Sequence, residues 1–144
     1  MDITVSIITT CPAPQLFDFV SNYENDPQWR SGVLKMTQYP QGCSQIGTKT
    51  DEVAIFFGRK TRTPADVTAY EPGRMIAFAG KTDGGVQVTG SRRVDQLVEL
   101  ARFTYQAHIE VTGVLWLVEP LLASILRRRF RKDLQRLKAL LETV

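Results

Sequence analysis

The titratable side chains of this sequence offer little for acid–base or nucleophilic catalysis. His108 is the only histidine, and an imidazole has a reference pKa of about 6.5, close to the pH at which acid–base catalysts operate. In its predicted strand it shares a face with Arg102, Thr104, Gln106 and Glu110, and that face should meet the solvent, so His108 cannot reach a ligand held inside the protein. Catalytic triads and dyads that depend on histidine therefore have no internal base here.

The two cysteines do not form a metal-binding or redox motif. Cys11 and Cys43 lie in different segments, without CxxC spacing and without a neighbouring histidine that could complete a metal site. We predict that both are free thiols and that the protein holds no metal and no cofactor.

Arg92 is the most informative charged residue. In its predicted strand it shares a face with Val88 and Val94, and that face should line the interior. A buried arginine needs an ionic or hydrogen-bonded partner, because isolating its charge in a low-dielectric interior costs several kcal/mol. A bulge near Gly90-Ser91 would instead turn Arg92 outward, and the sequence leaves both orientations open.

Glu52 is one candidate partner for Arg92, and the carboxylate of a ligand is the other. To reach Arg92, Glu52 must face inward. The neighbouring Val53 and Ile55 are apolar, which indicates that they face inward and that Glu52, on the opposite face of the strand, faces outward. We prefer the outward orientation for Glu52. Tyr105 lies on the apolar face of the last predicted strand, so Glu52, Arg92 and Tyr105 are the only candidates for a catalytic role.

The elements that must position these residues follow from the spacing of apolar residues. The alternating Ile3, Val5 and Ile7 predict a first strand. Pro12 opens a helix from Ala13 to Ser21, because proline fits the first turn of a helix. The remaining predicted elements are a second short helical turn at Asn22 to Trp29, strands at Val33 to Gln38, Thr48 to Phe56, Lys60 to Tyr70, Arg74 to Lys81, Val86 to Gln96 and Ala101 to Thr112, and a last helix at Val114 to Glu142.

Turns rich in Gly and Pro separate most of these strands, which makes successive strands antiparallel neighbours. The exception is Leu97 to Leu100, which contains no Gly, Pro, Asn or Asp. Either this turn is irregular or the predicted strand boundaries are wrong there.

The predicted last helix has an apolar stripe and a basic face. Its apolar residues recur at steps of three and four and should face the sheet. They are Leu122, Leu126, Phe130, Leu134, Leu137 and Leu141. The opposite face carries Arg127, Arg128, Arg131 and Lys132. Such a face can bind the phosphates of nucleic acid or lipid, but no aromatic residues interleave with it, so we interpret it as a solvated surface and expect no nucleic-acid partner.

Length and composition indicate one domain. A chain of 144 residues with 43% hydrophobic content can bury a core and leaves no room for a second module, so residues 1–144 are predicted to form a single domain. No apolar run approaches the roughly 18 residues that a membrane span needs, and the N-terminus lacks a secretory pattern. We therefore expect a cytoplasmic protein without a membrane span.

The element order and several short segments are similar to those of a known superfamily. The segments are Ile3 to Thr10, Phe17 to Val20, Asn25 to Arg30, Val67 to Arg74 and Phe103 to Gly113. Through them the whole chain resembles the START and pollen-allergen-like helix-grip superfamily (SRPBCC), and within it the bacterial polyketide cyclase/dehydrase-like group. The resemblance implies an α+β helix-grip fold, with a curved antiparallel sheet of about seven strands around a long C-terminal helix and two short helices after the first strand.

The resemblance also implies an apolar cavity between the sheet and the last helix, suited to a lipid-like, steroid-like or aromatic molecule. Alternation supports an inward orientation of the apolar residues in the last strand. The predicted ligand-binding residues are Trp29, Val67, Phe78, Arg92, Phe103, Tyr105, Ala107, Trp116 and Phe130. The same aromatic residues could instead pack a solid core, and the sequence leaves this alternative open.

We therefore expect a protein that binds or carries a hydrophobic small molecule. The alternative is an enzyme of the polyketide cyclase or aromatase type, in which the cavity folds a reactive chain, and the sequence does not decide between carrier and enzyme. A third interpretation is a protein-interaction module that uses the basic face of the last helix. Leu115 to Leu117, at the start of the last helix, could form a homodimer contact if they are exposed. An apolar helix start is equally normal where these residues are buried at the entrance of a cavity, so both alternatives stay open.

Overall fold

The computed structural model describes residues 1–42 and 44–143, with the backbone alone at residue 115. The predictions for the thiol of Cys43 and for a dimer contact through the side chain of Leu115 lie outside the described residues. Among the described residues Cys11 is a free, buried cysteine.

Seven strands and two α-helices account for most of the described chain. Strand β1 is followed by α1 and a first 3₁₀ helix, then by strands β2 to β7, a second 3₁₀ helix and α2. The bounds are β1 Asp2–Thr9, α1 Ala13–Ser21, first 3₁₀ helix Tyr23–Gln28, β2 Val33–Tyr39, β3 Lys49–Phe56, β4 Arg59–Glu71, β5 Met75–Lys81, β6 Gln87–Gln96, β7 Ala101–Ile109, second 3₁₀ helix Gly113–Val118 and α2 Glu119–Glu142. The predicted α+β helix-grip fold is confirmed.

The strands form one antiparallel sheet in the order β1-β7-β6-β5-β4-β3-β2. From β2 to β7, each strand pairs with the strand that follows it in the sequence. The first strand, β1, pairs with the last, β7. Apolar and polar residues alternate along the strands, so one face of the curved sheet turns inward and the other faces solvent. The inner face carries the candidate residues.

The two short helices cover one end of the inner face. In α1 the apolar Leu16, Phe17 and Val20 are buried, and the helix packs against β6 and β7. The first 3₁₀ helix packs against β2, and the Asn22 side chain caps it by accepting a hydrogen bond from the Glu24 N–H at 3.2 Å. This 3₁₀ helix brings Asp26 into the interior.

The last helix begins later than the sequence predicts. Instead of one helix from Val114, the chain forms a 3₁₀ helix at Gly113–Val118 and then α2 from Glu119. Pro120 explains the boundary, because a proline lacks the N–H that an interior helical position needs and is favoured in the first turn. The last strand is also shorter than predicted, ending at Ile109 rather than Thr112.

The turn between β6 and β7 is irregular, which was one of the two interpretations of the sequence at Leu97 to Leu100. The Leu97 N–H donates to the Leu100 carbonyl at 2.7 Å, and Glu99 has a φ of 62°, in the left-handed region that favours glycine. The Gln96 amide supports the turn by donating to the carbonyls of Leu97 and Leu100 at 2.7 and 3.0 Å. A side-chain amide thus takes the place of the usual turn residues.

The main core lies where α2, α1, β1 and β7 meet, and a smaller one lies under β2, β4 and β5. In the described part of the chain, no helix combines the length and the apolar character of a membrane-crossing segment.

Candidate functional site

The long helix covers only one side of the inner face. α2 packs on β1 and makes no comparable contact with β3 to β6. Inward-facing residues of the middle strands therefore stay half-buried rather than sealed. These residues are Glu52, Ala54, Thr63, Ala65, Phe78 and Val88, and we call the space that they line, together with the facing side of α2, the groove.

Three hydrogen bonds hold α2 against the loop before β2. The Ser31 N–H and hydroxyl donate to Asp133 Oδ1 at 2.9 and 2.7 Å, and burial raises the pKa of Asp133, against the opposing effect of these hydrogen bonds. Arg129 donates to the Ser31 carbonyl at 2.7 Å and to the Ile55 carbonyl at 3.1 Å. Its guanidinium occupies the space beside Gly32, where a Cβ would sit.

A buried ion pair lies at the inner end of the groove. Arg92, from β6, donates to both carboxylate oxygens of Asp26 at 2.8 and 2.5 Å, and to the Val20 carbonyl at 2.9 Å. The two side chains are 1% and 0% exposed. Arg92 therefore faces inward, and β6 keeps its register through Gly90 and Ser91 without a bulge.

Aromatic rings enclose the Arg92 guanidinium. Its Cζ lies 4.3 Å from the ring centre of Tyr23, 5.2 Å from Trp29 and 5.4 Å from Tyr105, distances at which a cation and an aromatic face attract. Burial alone would lower the pKa of Arg92, but the Asp26 carboxylate raises it above its ordinary value. The guanidinium stays charged.

Arg30 extends this pair into a chain of alternating charges. Its Nη1 lies 3.0 Å from Asp26 Oδ2 and 2.8 Å from Glu52 Oε2. Burial would lower the pKa of Arg30, but the negative charge of Glu52 raises it well above its ordinary value. The Arg30 and Glu52 side chains are 15% and 21% exposed, so this end of the chain meets the groove.

Two sequence interpretations of Glu52 are wrong. Glu52 faces inward rather than outward, because the register pairs it with Met36 and Thr63 on the inner side of β3. Its partner is Arg30, and the partner of Arg92 is Asp26. The sequence reasoning missed Asp26 and Arg30, although an acid and an arginine at i and i+4 beside Trp29 were a usable signal of an ion pair.

Three buried polar atoms near this row of charged side chains have no hydrogen-bond partner among the described residues. They are the Tyr23 hydroxyl, the Trp29 indole nitrogen and the Arg92 Nε. All three can donate, and buried donors are normally paired with protein, water or ligand. Each is a donor that the oxygen of a water molecule or a ligand would satisfy.

The predicted aromatic residues form one cluster behind the charges. The Trp29 ring lies 6.1 Å from Phe103 and 6.0 Å from Tyr105, and Phe130 of α2 lies 5.2 Å from Tyr105, all edge to face. Trp29 and Phe103 are sealed in the core. Phe130 is half-buried and, with the neighbouring Tyr105, forms the wall of the groove.

Three further predicted residues share one row across the inner face. Val67, Phe78, Gly90 and Ala107 lie side by side on successive strands. The Phe78 ring covers Gly90, and a Cβ there would meet the ring at 2.8 Å. Val67 and Ala107 are buried, and Phe78 is half-buried. This row lies beneath the groove as its floor, and within it Phe78 and Gly90 keep exposed surface.

Trp116 is the predicted residue that the structure leaves outside this arrangement. It belongs to the second 3₁₀ helix and is 62% exposed. It therefore lies on the surface before α2 rather than on an inner wall.

His108 lies on the outer face of the sheet, as predicted. Its Nδ1 is 2.6 Å from Asp2 Oδ1 and its Nε2 is 2.9 Å from Glu110 Oε1. Hydrogen bonds to Asp2 and then Glu110 raise the pKa of His108 above its ordinary value. It cannot serve a ligand in the groove.

Two further surface depressions are present among the described residues. One, of about 510 Å³, is lined by residues of β3 to β6, including Lys49 and Asp66, and shares Ala65 with the groove. The other, of about 380 Å³, lies between β1 and α2 beside Arg131 and Gln135. Neither contains a residue that the sequence predicts to bind ligand.

A family model matches nearly the whole chain. Residues 1–142 match the family described as polyketide cyclase / dehydrase and lipid transport. None of the curated proteins compared with the chain matches it.

Solved structures are similar to this chain at low sequence identity. TTHA0849 from Thermus thermophilus is 14% identical with a TM-score of 0.82, over 98% of this chain and 97% of that one. The Zhui aromatase/cyclase from Streptomyces sp. R1128 is 13% identical with a TM-score of 0.80, over 99% and 93%. A START superfamily protein from Mycobacterium smegmatis is 13% identical with a TM-score of 0.76, over 98% and 97%. These likenesses show the fold.

Proposed function

Since the chain belongs to the polyketide cyclase / dehydrase and lipid transport family, we propose that its groove binds a hydrophobic small molecule. The observation that carries the proposal is the end of the charge chain, where Arg30 and Glu52 meet an otherwise mostly apolar inner face. An apolar surface with a few converging polar groups is typical of a small-molecule site.

The charge chain favours a ligand with a neutral polar end. Asp26 already neutralises Arg92, and Glu52 neutralises Arg30. A ligand carboxylate would compete with these partners and leave Glu52 facing a second negative charge. A hydroxyl can instead accept from Arg30 or donate to Glu52, and a carbonyl can accept from Arg30, without disturbing either pair.

Affinity would come mainly from the apolar part of the ligand. Burying apolar surface stabilises a complex by roughly 25 cal/mol per Å² before the costs of ordering are subtracted. Phe130, Phe78 and Val88 offer such surface around the charges. The polar contacts would then set orientation.

A ligand screen on the whole chain tests this proposal. Thermal shift and native mass spectrometry would compare long-chain alcohols and ketones, matched fatty acids, sterols and aromatic polyketides. Neutral polar-ended ligands should raise the Tm more than matched acids. In Glu52→Gln this ligand-induced shift should shrink. A carboxylate can accept hydrogen bonds from Arg30 and from the ligand with two charged oxygens, whereas the amide offers one neutral oxygen.

The matched control is Asp51→Asn, the adjacent acid on the outer face of the same strand, where it pairs with Arg62. This variant should keep the full ligand response. If no ligand class stabilises the protein, or if both variants respond alike, the groove is not the binding site.

The second candidate function is a polyketide cyclase or aromatase. One observation favours it: a charged carboxylate, Glu52, projects into the groove in the same network as the phenol of Tyr105, through Arg30. Glu52 could take a proton from a methylene between two ketones, and the enolate, stabilised by Arg30, could attack a ketone carbon further along the same chain and close the ring. The proton on Glu52 could then pass to the resulting alkoxide. Glu52 could next take the second proton of the same methylene and return it to the hydroxyl as that group leaves as water.

Incubation with a short poly-β-ketone thioester distinguishes enzyme from carrier. An enzyme should form a cyclised, dehydrated product that Glu52→Gln abolishes and Asp51→Asn retains. Binding of the thioester without any turnover above the buffer rate would favour carriage.

A further inference from the structure

One end of the molecule concentrates its exposed apolar side chains. The hairpin between β3 and β4 exposes Ile55, Phe56 and Phe57, which we call the hairpin lip. The segment that leads into α2 and its first turns expose a second group, the helix lip: Val114, Trp116, Leu117, Val118, Leu121 and Ile125. These two lips hold nine of the fourteen large exposed apolar side chains of the described residues.

Strand register shows that the two lips lie at the same end of the fold. The Met1 amine lies 3.2 Å from Glu119 at the start of α2 and donates to the Ile109 carbonyl at 2.9 Å. At the same height in the sheet, Ile109 of β7 pairs with Val88 of β6, and Gln87 pairs with Lys81 at the end of β5. Just beyond β5, the Asp83 N–H donates to the carbonyl of Arg62 in β4. The β3–β4 hairpin projects beyond that level, at the opening of the groove.

The tip of the hairpin has an unusual residue for its backbone. Phe57 and Gly58 have φ values of 51° and 75°, the two positive values of a type I′ turn, for which Asn-Gly is the preferred sequence. A bulky aromatic residue is an outlier there. Such outliers are kept where they serve a function, and Phe57 is 56% exposed with its ring 4.5 Å from that of Phe56.

The hairpin lip is basic, and the helix lip is followed by basic residues of α2 from Arg127 to Lys132. Arg59 and Lys60 follow the aromatic pair after Gly58, are exposed, and form no ion pair with a described residue. Residues 53–65 contain no acid, and residues 113–132 contain only Glu119, which is engaged by the N-terminus. Aromatic side chains beside unpaired cations match the boundary between acyl chains and phosphate headgroups.

We propose that this end of the protein docks on an anionic phospholipid surface, with Phe56 and Phe57 at the acyl boundary and Arg59 and Lys60 on the phosphates. A second copy of the chain is the less favoured occupant, because a two-fold contact would bring together two copies of an end that is rich in exposed Lys and Arg. The proposal does not depend on the ligand of the groove, although the docked end contains its opening.

Vesicle flotation with the full chain tests the proposal. The protein should bind vesicles of phosphatidylcholine with phosphatidylglycerol more tightly than vesicles of phosphatidylcholine alone, and added salt should weaken the binding. Phe57→Asn should lower the partition coefficient about tenfold, because it removes an aromatic ring that the bilayer would bury. Replacing Arg59 and Lys60 with Gln should lower it about thirtyfold.

Phe57→Asn separates docking from folding. Asn-Gly suits the type I′ turn, so this variant should keep or raise the Tm while it loses vesicle binding. Val98→Asn and Arg74→Gln remove an exposed apolar side chain and an exposed cation at the opposite end of the sheet. Both controls should bind vesicles like the parent.

Three results would overturn the proposal. The first is equal or no binding to the two vesicle types. The second is unchanged binding of Phe57→Asn. The third is a dimer in sedimentation equilibrium that Phe57→Asn dissociates, which would assign the lips to a second copy.

Discussion

The two faces of the sheet carry ion pairs of similar length in very different surroundings. On the inner face, Arg92 and Asp26 meet at 2.5 Å with both side chains sealed from solvent. On the outer face, Arg62 and Asp51 meet at 2.6 Å with side chains 64% and 32% exposed. An exposed pair contributes little, whereas a buried pair has lost its hydration and each partner depends on the other. Equal distances therefore conceal unequal roles, and only the inner pairs can position a ligand.

Removing one partner from each face gives the largest expected contrast. Asp26→Asn leaves the charge of Arg92 buried without a carboxylate, and should lower the free energy of unfolding by about 3–5 kcal/mol. Asp51→Asn leaves Arg62 in water and should cost at most about 1 kcal/mol. Urea unfolding of both variants measures the difference.

Replacing both partners of the inner pair with apolar side chains sharpens that contrast. The double variant Asp26→Leu with Arg92→Met removes both charges, so it should recover most of the stability lost in Asp26→Asn. Arg30 would keep Glu52. If Asp26→Asn is no more damaging than Asp51→Asn, the inner pair is not dry, and the distinction between the faces fails.

Packing should separate the two faces next. Gly90 faces the groove, and a Cβ there would lie 2.5 Å from the Gln106 carbonyl and 2.8 Å from the Phe78 ring. Gly90→Ala should cost about 1–3 kcal/mol, because the backbone or the ring must move. Its neighbour Ser91 faces outward, and Ser91→Ala should change the Tm little. Thermal unfolding that ranks the two variants equally would show that the groove floor yields freely.

Periodicity was sufficient to predict the strands and α1, because alternating and helical spacings of apolar residues mark the two kinds of element. It failed at the start of α2, where Pro120 sets the boundary and apolar residues continue through a 3₁₀ helix. The β6–β7 turn could be predicted only as an exception. Its support from Gln96 depends on a side-chain hydrogen bond that no local pattern announces.

The candidate site was predicted in part, for the same physical reason. Alternation correctly left an inward Arg92 as one alternative, but it could not find the partner, because Asp26 lies 66 residues earlier on an element without strand periodicity. The phase of β3 was misread, since Val53 and Ile55 are apolar residues on its outer side. Tertiary contacts, not local pattern, placed Glu52 with Arg30.

The open end of the charge chain should tolerate change better than the sealed end. In Glu52→Gln an amide oxygen still accepts from Arg30, Asp26 remains as the second partner, and water reaches the site. The variant should therefore lose at most about 1 kcal/mol in urea unfolding, although the ligand response depends on it. A loss as large as that of Asp26→Asn would place Glu52 in the structural core instead of the groove.

The smallest effect should come from His108 on the outer face. Its folded pKa lies above the ordinary value of 6.5 because Asp2 and Glu110 hydrogen-bond the ring, while the N-terminal amine opposes them. A group whose pKa is raised by folding stabilises the protein fully below its unfolded pKa and loses that contribution as the pH rises through the folded pKa. The Tm of the parent should therefore fall slightly relative to that of His108→Gln as the pH rises through and above 6.5. Thermal scans of both proteins from about pH 5 to about pH 9 isolate this term, since all other titrations are shared. A constant difference in Tm across that range would mean that water screens the two carboxylates completely, and the outer face would then contribute no electrostatic stability at His108.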